Sequence, residues 1–405
     1  MSTNILRAGA AKRDVTPSAP LPYLGRDPRH MLFKGVDSRM YLRALTLQDN
    51  NTAICIISFD GIGFNGNIFG KGDFDEVFKD TVFKRTGVKN VMLASSHIHS
   101  TPETLNFRPF INAKGANEWL LSVIEKACEA IGEAQTAAVP AKVYFADKAV
   151  PGYTQNRRGA PHIDNTLSVM QFKSLAGDNI AAIVHFACHP VVMQVTENIC
   201  TDFVGVIQET LENKTGGVTL FLQGACADID PLRFRAGEKE DFLFMGNALA
   251  NEVLSITESL PKPLKNVKLS VANETVFLPS RELPPDDKRK EIIRLYKENK
   301  ANEETYFRTV EGASPYKAFL QAIKIGDKIF AGVPGEVFCE TGLKLKRINN
   351  NALTVGYANG YFGYIAPPSE WERGGYEIDF GMWSKVSAEA HDIVYKRLVS
   401  LIGLK

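Results

Sequence analysis

Val91-Met-Leu-Ala-Ser-Ser-His97-Ile-His99-Ser-Thr-Pro-Glu103 reads as a buried strand running straight into a polar turn. Its opening residues, 91–94, are uniformly apolar. A strand without a polar face has to be covered on both sides. The same kind of run recurs outward from it, at 41–47, 53–59, 141–145, 168–172, 180–186 and 218–222, and later at 267–277, 319–325, 328–333 and 353–357. Helical spacing fills much of the rest. Between 118 and 134, Leu120, Leu121, Val123, Ile124, Ala127 and Ile131 recur on one face, and 206–212, 242–258, 291–299, 337–349 and 387–401 read likewise. This mixture predicts an α/β (mixed α+β) fold of mixed β-sheets covered by helices. The charged stretch 281–305 reads as a solvated helical excursion. No repeat or low-complexity linker interrupts the chain, so one large domain over 1–405 is expected.

Composition narrows the partners. The chain has 405 residues and a formal net charge of +1. That balance gives no electrostatic basis for binding nucleic acid or an anionic membrane surface. No apolar run reaches the roughly 18 residues of a membrane helix. The six cysteines are widely and irregularly spaced with no CxxC pair, which suits small buried side chains in a reducing compartment. The first ten residues contain no apolar signal segment, which predicts a cytoplasmic protein, or a secreted or periplasmic one whose leader has been removed.

Five polar clusters carry candidate chemistry. In an extended chain, His97 and His99 fall on the same side, where two imidazoles can share a metal or divide ligand and acid–base roles. The run Ile183-Val-His-Phe-Ala-Cys-His189-Pro190 ends a second buried strand in a histidine fixed by proline; His185, inside the run, reads as a core histidine. Phe221-Leu-Gln-Gly-Ala-Cys-Ala-Asp228-Ile-Asp230-Pro231 opens a third strand into small residues and two acids. Gly332-Val-Pro-Gly-Glu336 ends a fourth, with Glu336 expected at a helix start, a place that suits a carboxylate with or without a metal. The stretch 357–377, rich in Gly and Tyr, reads as an exposed binding loop. Its tyrosines can ligate a metal or donate to an oxyanion. His30, His162 and His391 lack convergent neighbours and read as surface or structural.

In this order the clusters resemble the amino-terminal catalytic domain of the neutral, non-lysosomal ceramidase family. The stretches that carry the resemblance are Gly9–Pro17, Ser96–Pro102, Asn156–Arg157, His189–Pro190, Gly224–Pro231, Pro334–Glu336 and Asn359–Glu377. The resemblance implies Zn2+ held by His97, His189, Glu336 and Tyr364, with His99 and Tyr376 assisting catalysis and Arg157 lining the pocket. It implies an amide-cleaving, metal-dependent hydrolase acting through a zinc-activated water on a small-molecule or lipid-like substrate. Three features depart from the family pattern. Asp230 stands where the ceramidases have a serine, Glu103 adds an acid beside the histidines, and the chain is expected to lack the carboxy-terminal immunoglobulin-like domain. An ionised Asp230 accepts hydrogen bonds and cannot donate to an oxyanion, so a more polar substrate than ceramide is expected, oriented by Arg157 and Asp230. The same metal site on an ester, lactone or glycosidic bond, or a non-catalytic ligand-binding homologue, are the competing expectations. Oligomeric state is not legible.

Overall fold

In the computed structural model, residues 5–24, 31–66, 73–105, 109–232, 239–298 and 314–403 are described, together with 306 and 309. The main sheet uses eight strands: β1 (Arg7–Asp14), β2 (Tyr41–Gln48), β3 (Ala53–Phe59), β4 (Asn90–Ser95), β5 (Val139–Ala149), β6 (Thr166–Ser174), β7 (Asn179–Phe186) and β8 (Val218–Gln223). Their spatial order is β8-β7-β6-β5-β1-β2-β3-β4. Only the outermost pairs, β7/β8 and β3/β4, are parallel. A second sheet orders β9 (Leu269–Leu278), β10 (Tyr316–Ile325), β11 (Lys328–Gly332) and β12 (Ala352–Val355), with β11/β12 its parallel pair.

Period-2 alternation explains why these runs carry no polar face. In β4, Val91 and Leu93 face the helices Phe74–Thr86 and Ala116–Thr136, while Met92 and Ala94 face the second sheet. In β7, Val184 and Phe186 pack toward the helices Asp202–Thr215 and Lys239–Glu258, while Ala181 and Ile183 join the inter-sheet core. In β10, Ile323 and Ile325 face that same core. Ala318, Leu320 and Ala322 face Leu345 and Val394 on the helices Cys339–Ile348 and Glu389–Ile402. The result is four layers: helix, sheet, sheet, helix. Each fully buried Leu, Ile, Val or Phe contributes roughly 1.5–3 kcal/mol, so the doubly covered strands form the stable frame.

The main sheet curls until strands from its two ends touch. Ser58 Oγ on β3 donates to the Phe221 carbonyl on β8 at 2.8 Å. The Gln223 side chain at the end of β8 donates to the Ser96 carbonyl just past β4 at 3.1 Å. This curl brings the carboxyl ends of both outer parallel pairs to one place, where the second sheet's parallel pair also ends. Carboxyl ends of parallel strands are where α/β sheets place ligands.

The helix ends where its chemistry requires. The helix Phe74–Thr86 starts on the Asp73 side chain, which accepts the Glu76 amide, carries Asp75 and Glu76 in its first turn and Lys84 and Arg85 in its last, and stops at Gly87 with φ 73°. The excursion at 281–305 contains the helix Asp286–Lys297, none of whose residues is buried, as expected; 299–305 lie outside the described residues. Among the described residues no helix is long and apolar enough to cross a membrane. All six cysteines are buried and free.

Candidate functional site

His97 follows β4, but not in the extended form expected. Its φ is 67°, in the left-handed region that non-glycine residues avoid. The turn is held by the Gly61 carbonyl, which accepts the His97 amide at 2.8 Å, and by the Pro190 carbonyl, which accepts the His99 amide at 3.2 Å. The two imidazoles therefore converge through a strained turn rather than through strand periodicity, and their Nε2 atoms lie 3.3 Å apart.

Both buried histidines are tethered through Nδ1. His97 Nδ1 donates to the Ile62 carbonyl at 2.7 Å, and His189 Nδ1 donates to the Cys226 carbonyl at 2.6 Å. A carbonyl can only accept, so each Nδ1 carries the hydrogen and each Nε2 offers a lone pair to the centre of the site. His189 follows β7, with its amide on the Ile229 carbonyl at 2.9 Å. Gln223 ties the two turns together: it donates to the Ser96 and Cys188 carbonyls at 3.1 and 2.8 Å, and its own oxygen accepts the Cys188 amide at 3.1 Å.

Glu336 reaches the same centre from the second sheet. It does not begin a helix: the helix starts at Cys339, and Glu336 sits in a two-residue parallel pairing with Tyr364. The intervening residues Val337 and Phe338 are buried in the core, which keeps the chain extended there. Glu336 Oε1 accepts from Tyr361 at 2.6 Å and Oε2 from Tyr357 at 3.3 Å. Oε2 also lies 3.2 Å from His189 Nε2 and 3.6 Å from His97 Nε2. The Tyr357 ring stacks on His97 at 3.9 Å. Burial opposes the charge of Glu336, yet His97, His189 and Tyr361 hold its carboxyl down at about 2. Burial pushes the His97 imidazole down to about 3, so it is neutral. At His189 burial is outweighed by Cys226 and Glu336, which raise it to about 10: beside the carboxylate, Nε2 takes a positive partner, either a proton or a cation in the proton's place.

These residues fit a cation. Among the described residues, the ligand atoms of His97, His99 and His189 lie within 4.8 Å of one another, a group that could hold a metal ion. His189 Nε2 is buried and makes no hydrogen bond, although a Glu336 oxygen is 3.2 Å away. A lone pair aimed at a buried carboxylate is an unfavourable arrangement unless something positive lies between them. Imidazole nitrogen with carboxylate oxygen is the donor set that suits zinc.

Beside this cluster lies a branched ion-pair network. Arg157 donates through Nε to Glu377 at 2.8 Å, through Nη1 to Asp230 at 3.2 Å and through Nη2 to the Tyr364 hydroxyl at 2.9 Å. Asp230 is positioned by the short antiparallel pairing of Ile229–Pro231 with Thr154–Asn156, and Asp228 is structural, accepting from Asn156 at 2.6 Å and from the Cys339 amide at 2.8 Å. Burial pushes the Tyr364 phenol well up, despite Arg157. Tyr376 is 47% exposed and stacks on Trp383 at 4.8 Å, with the Arg157 guanidinium 5.9 Å from its ring.

The structure thus gathers His97, His99, His189 and Glu336 at one point and joins Asp230, Arg157 and Tyr364 in one network, with Tyr376 at its rim. The loop expected to be exposed is mostly not: Tyr357, Tyr361 and Tyr364 are buried, because the first two serve Glu336. Glu103 is buried and accepts the Leu105 amide at 2.7 Å, within its own turn. His185 Nε2 donates to the Thr354 carbonyl at 2.7 Å, as a core histidine does. His391 is buried between Thr341 and Asp392, His162 contributes its carbonyl to Asn156, and His30 lies outside the described residues. Sequence reasoning gave no role to Tyr357, Tyr361, Gln223 or Arg158. The first two lay within a flagged loop, and Gln223 ended a flagged strand.

No protein-family model and no curated protein sequence matches this chain. Solved structures do. The neutral ceramidase from Pseudomonas aeruginosa superposes with a TM-score of 0.79 at 18% identity, over 98% of this chain and 74% of that one. A ceramidase complexed with C2 gives a TM-score of 0.77 at 16% identity, over 98% and 75%. The chain has a neutral ceramidase-like fold.

Proposed function

We propose that this protein is a zinc-dependent hydrolase that cleaves an amide bond. The observation that carries the proposal is the convergence of two Nδ1-tethered imidazoles and a tyrosine-clamped carboxylate on one buried point. His97, His189 and Glu336 would hold the ion, with Tyr364, the register partner of Glu336, as the fourth group. His99 is given a different task because it is only half-buried, whereas His97 and His189 are each 1% exposed. Zinc, when bound, supplies a Lewis acid and brings the pKa of a water from about 16 to about 7.

The remaining work falls to the chain's own side chains. Water adds across the C–N bond, the carbonyl carbon gains the oxygen, and the amine leaves with a proton. Nε2 of His99 is the proton carrier for that transfer. Tyr376 donates its hydroxyl to the developing oxyanion, an effect of about 3–4 kcal/mol for a well-placed donor. Arg157 has every arm engaged, on Glu377, Asp230 and Tyr364, so it shapes and charges the wall rather than gripping a substrate anion. Asp230 keeps acceptor capacity for a substrate hydroxyl or ammonium beside the scissile bond. The ceramidases of the same fold are consistent with an N-acyl substrate, and Asp230 favours one with a polar head.

The test is metal analysis of the purified protein, with hydrolysis of a fluorogenic N-acyl amide before and after chelation and in His97→Ala. Stoichiometric zinc and loss of turnover in both treatments are expected. Full activity in metal-free protein would sink the proposal.

A further inference from the structure

We propose that Arg158 is a positioning residue that latches the surface segment carrying Tyr376 in place beside Arg157 and Tyr364. Its neighbour Arg157 faces the site, whereas Arg158 points into the segment 370–377. There it donates through Nε to Glu370, through Nη1 to Glu377 and through Nη2 to the Gly374 carbonyl. Half of that segment is exposed, namely Glu372, Arg373, Gly375 and Tyr376, yet the side chains at the latch are not: Arg158 is 9% exposed, Glu370 7% and Glu377 3%.

The geometry is specific to a guanidinium. Three acceptors spread over a tight turn require a planar fork, which the ammonium of lysine cannot supply. The turn is built to receive it. Gly374 and Gly375 have φ of 61° and 92°, and a Cβ on Gly375 would come within 3.2 Å of Arg158 Nη1. The backbone of Arg158 is fixed in turn, its amide donating to Asn156 Oδ1 at 3.0 Å and its carbonyl accepting from Arg373 at 2.5 Å.

Glu377 connects the latch to the site. One of its oxygens takes Arg158 and the other takes Arg157 Nε at 2.8 Å. Tyr376 is the adjacent residue, and its carbonyl accepts the Trp383 indole N–H at 2.7 Å. Without Arg158, Glu370 still has Arg373 and Glu377 still has Arg157, so neither carboxylate is stranded. The expected consequence is a loosened segment on an intact fold. The effect on turnover rests on the role proposed for Tyr376; the effect on the segment rests only on these contacts.

The experiment compares the full-length protein with Arg158→Gln and Arg158→Lys, keeping Glu370→Gln as a milder variant should either misfold. Segment order is read by trypsin cleavage after Arg373 and by tryptophan emission, since Trp371 lies in the segment and Trp383 stacks on Tyr376, while Trp119 is buried in the core. Cleavage tracks the open population, so R158Q is expected to be cut at least roughly tenfold faster, with red-shifted emission. Zinc content stays at the wild-type level. On a fluorogenic N-acyl anilide, kcat falls on the order of a hundredfold with little change in KM, the size of effect that a displacement of about 1 Å produces. R158K falls between. Wild-type cleavage and emission in R158Q overturn the latch. Loosening with unchanged kcat overturns its role in placing Tyr376. If the wild-type protein hydrolyses no amide, the enzyme reading fails, and cleavage and emission still decide the latch.

Discussion

Gln223→Met removes the stitch between the two histidine turns while nearly preserving volume. The side chain is fully buried and makes three hydrogen bonds, to Ser96 O, Cys188 O and Cys188 N, one residue before each histidine. Each is worth about 1 kcal/mol net, and burying the abandoned carbonyls and amide raises the loss, so about 3–5 kcal/mol of stability is expected to go. The turns then hold His97 and His189 less firmly, and zinc affinity should fall about 10–100-fold, the range seen when groups that orient metal ligands are removed. Urea unfolding gives the first quantity and competition with a calibrated chelator the second. A stability loss below about 1 kcal/mol would contradict the hydrogen-bond reasoning. A large stability loss with unchanged zinc affinity would show that the histidine turns hold themselves.

Three further outcomes are expected. Tyr361→Phe deletes the 2.6 Å hydrogen bond to Glu336; a bond to a charged group is worth about 1.5–3 kcal/mol, and both stability and zinc affinity should drop, with calorimetry and chelator competition as the checks. Gly363→Ala should cost at least about 2 kcal/mol by urea unfolding, since φ is 83° and the new methyl would overlap the Trp383 carbonyl. Asp202, buried at the start of its helix, is raised from 3.8 to about 6 by burial. Between those values the folded state binds more protons than the unfolded one. Its contribution is therefore present below about pH 4 and lost as pH rises through about 6, by about 3 kcal/mol in all. The wild-type minus Asp202→Asn difference in unfolding free energy should show that fall, and a flat difference would refute it.

Much of the frame was legible because doubly covered strands leave an unmixed apolar signature. The run 53–59 matches β3 residue for residue, and 180–186 misses β7 by one. β1 was not legible, because Arg-Ala-Gly-Ala-Ala-Lys-Arg-Asp has no large apolar residue. Its small side chains exist for packing: a Cβ on Gly9 would overlap the Ala134 carbonyl of the covering helix. The helix Phe74–Thr86 was missed although its caps, Asp73 and Gly87, are sequence signals, because Phe74, Phe78 and Val82 are a thin stripe. At the site, residue types placed His97 and His189 at strand ends, whereas Glu336, expected at a helix start, lies in a short strand paired with Tyr364. Periodicity could not supply the left-handed turn at His97 or the burial of Tyr357 and Tyr361. Those depend on Gly61 and Ile62, which follow β3, the parallel neighbour of β4, and on Glu336, which follows a strand of the second sheet; local periodicity reports neither pairing.

That curl has a kinetic consequence. His97 and His189 follow strands of the two outer parallel pairs, at opposite sides of the main sheet, and Glu336 follows a strand of the second. An ion shared by the three would join strand ends from both sheets, and none of its ligands could swing away without parting buried strand ends. Its residence time would be set by how often the sheets breathe apart rather than by the strength of any single bond to it. Chelators should therefore strip the folded protein slowly, at a rate that mild denaturant accelerates and excess chelator does not.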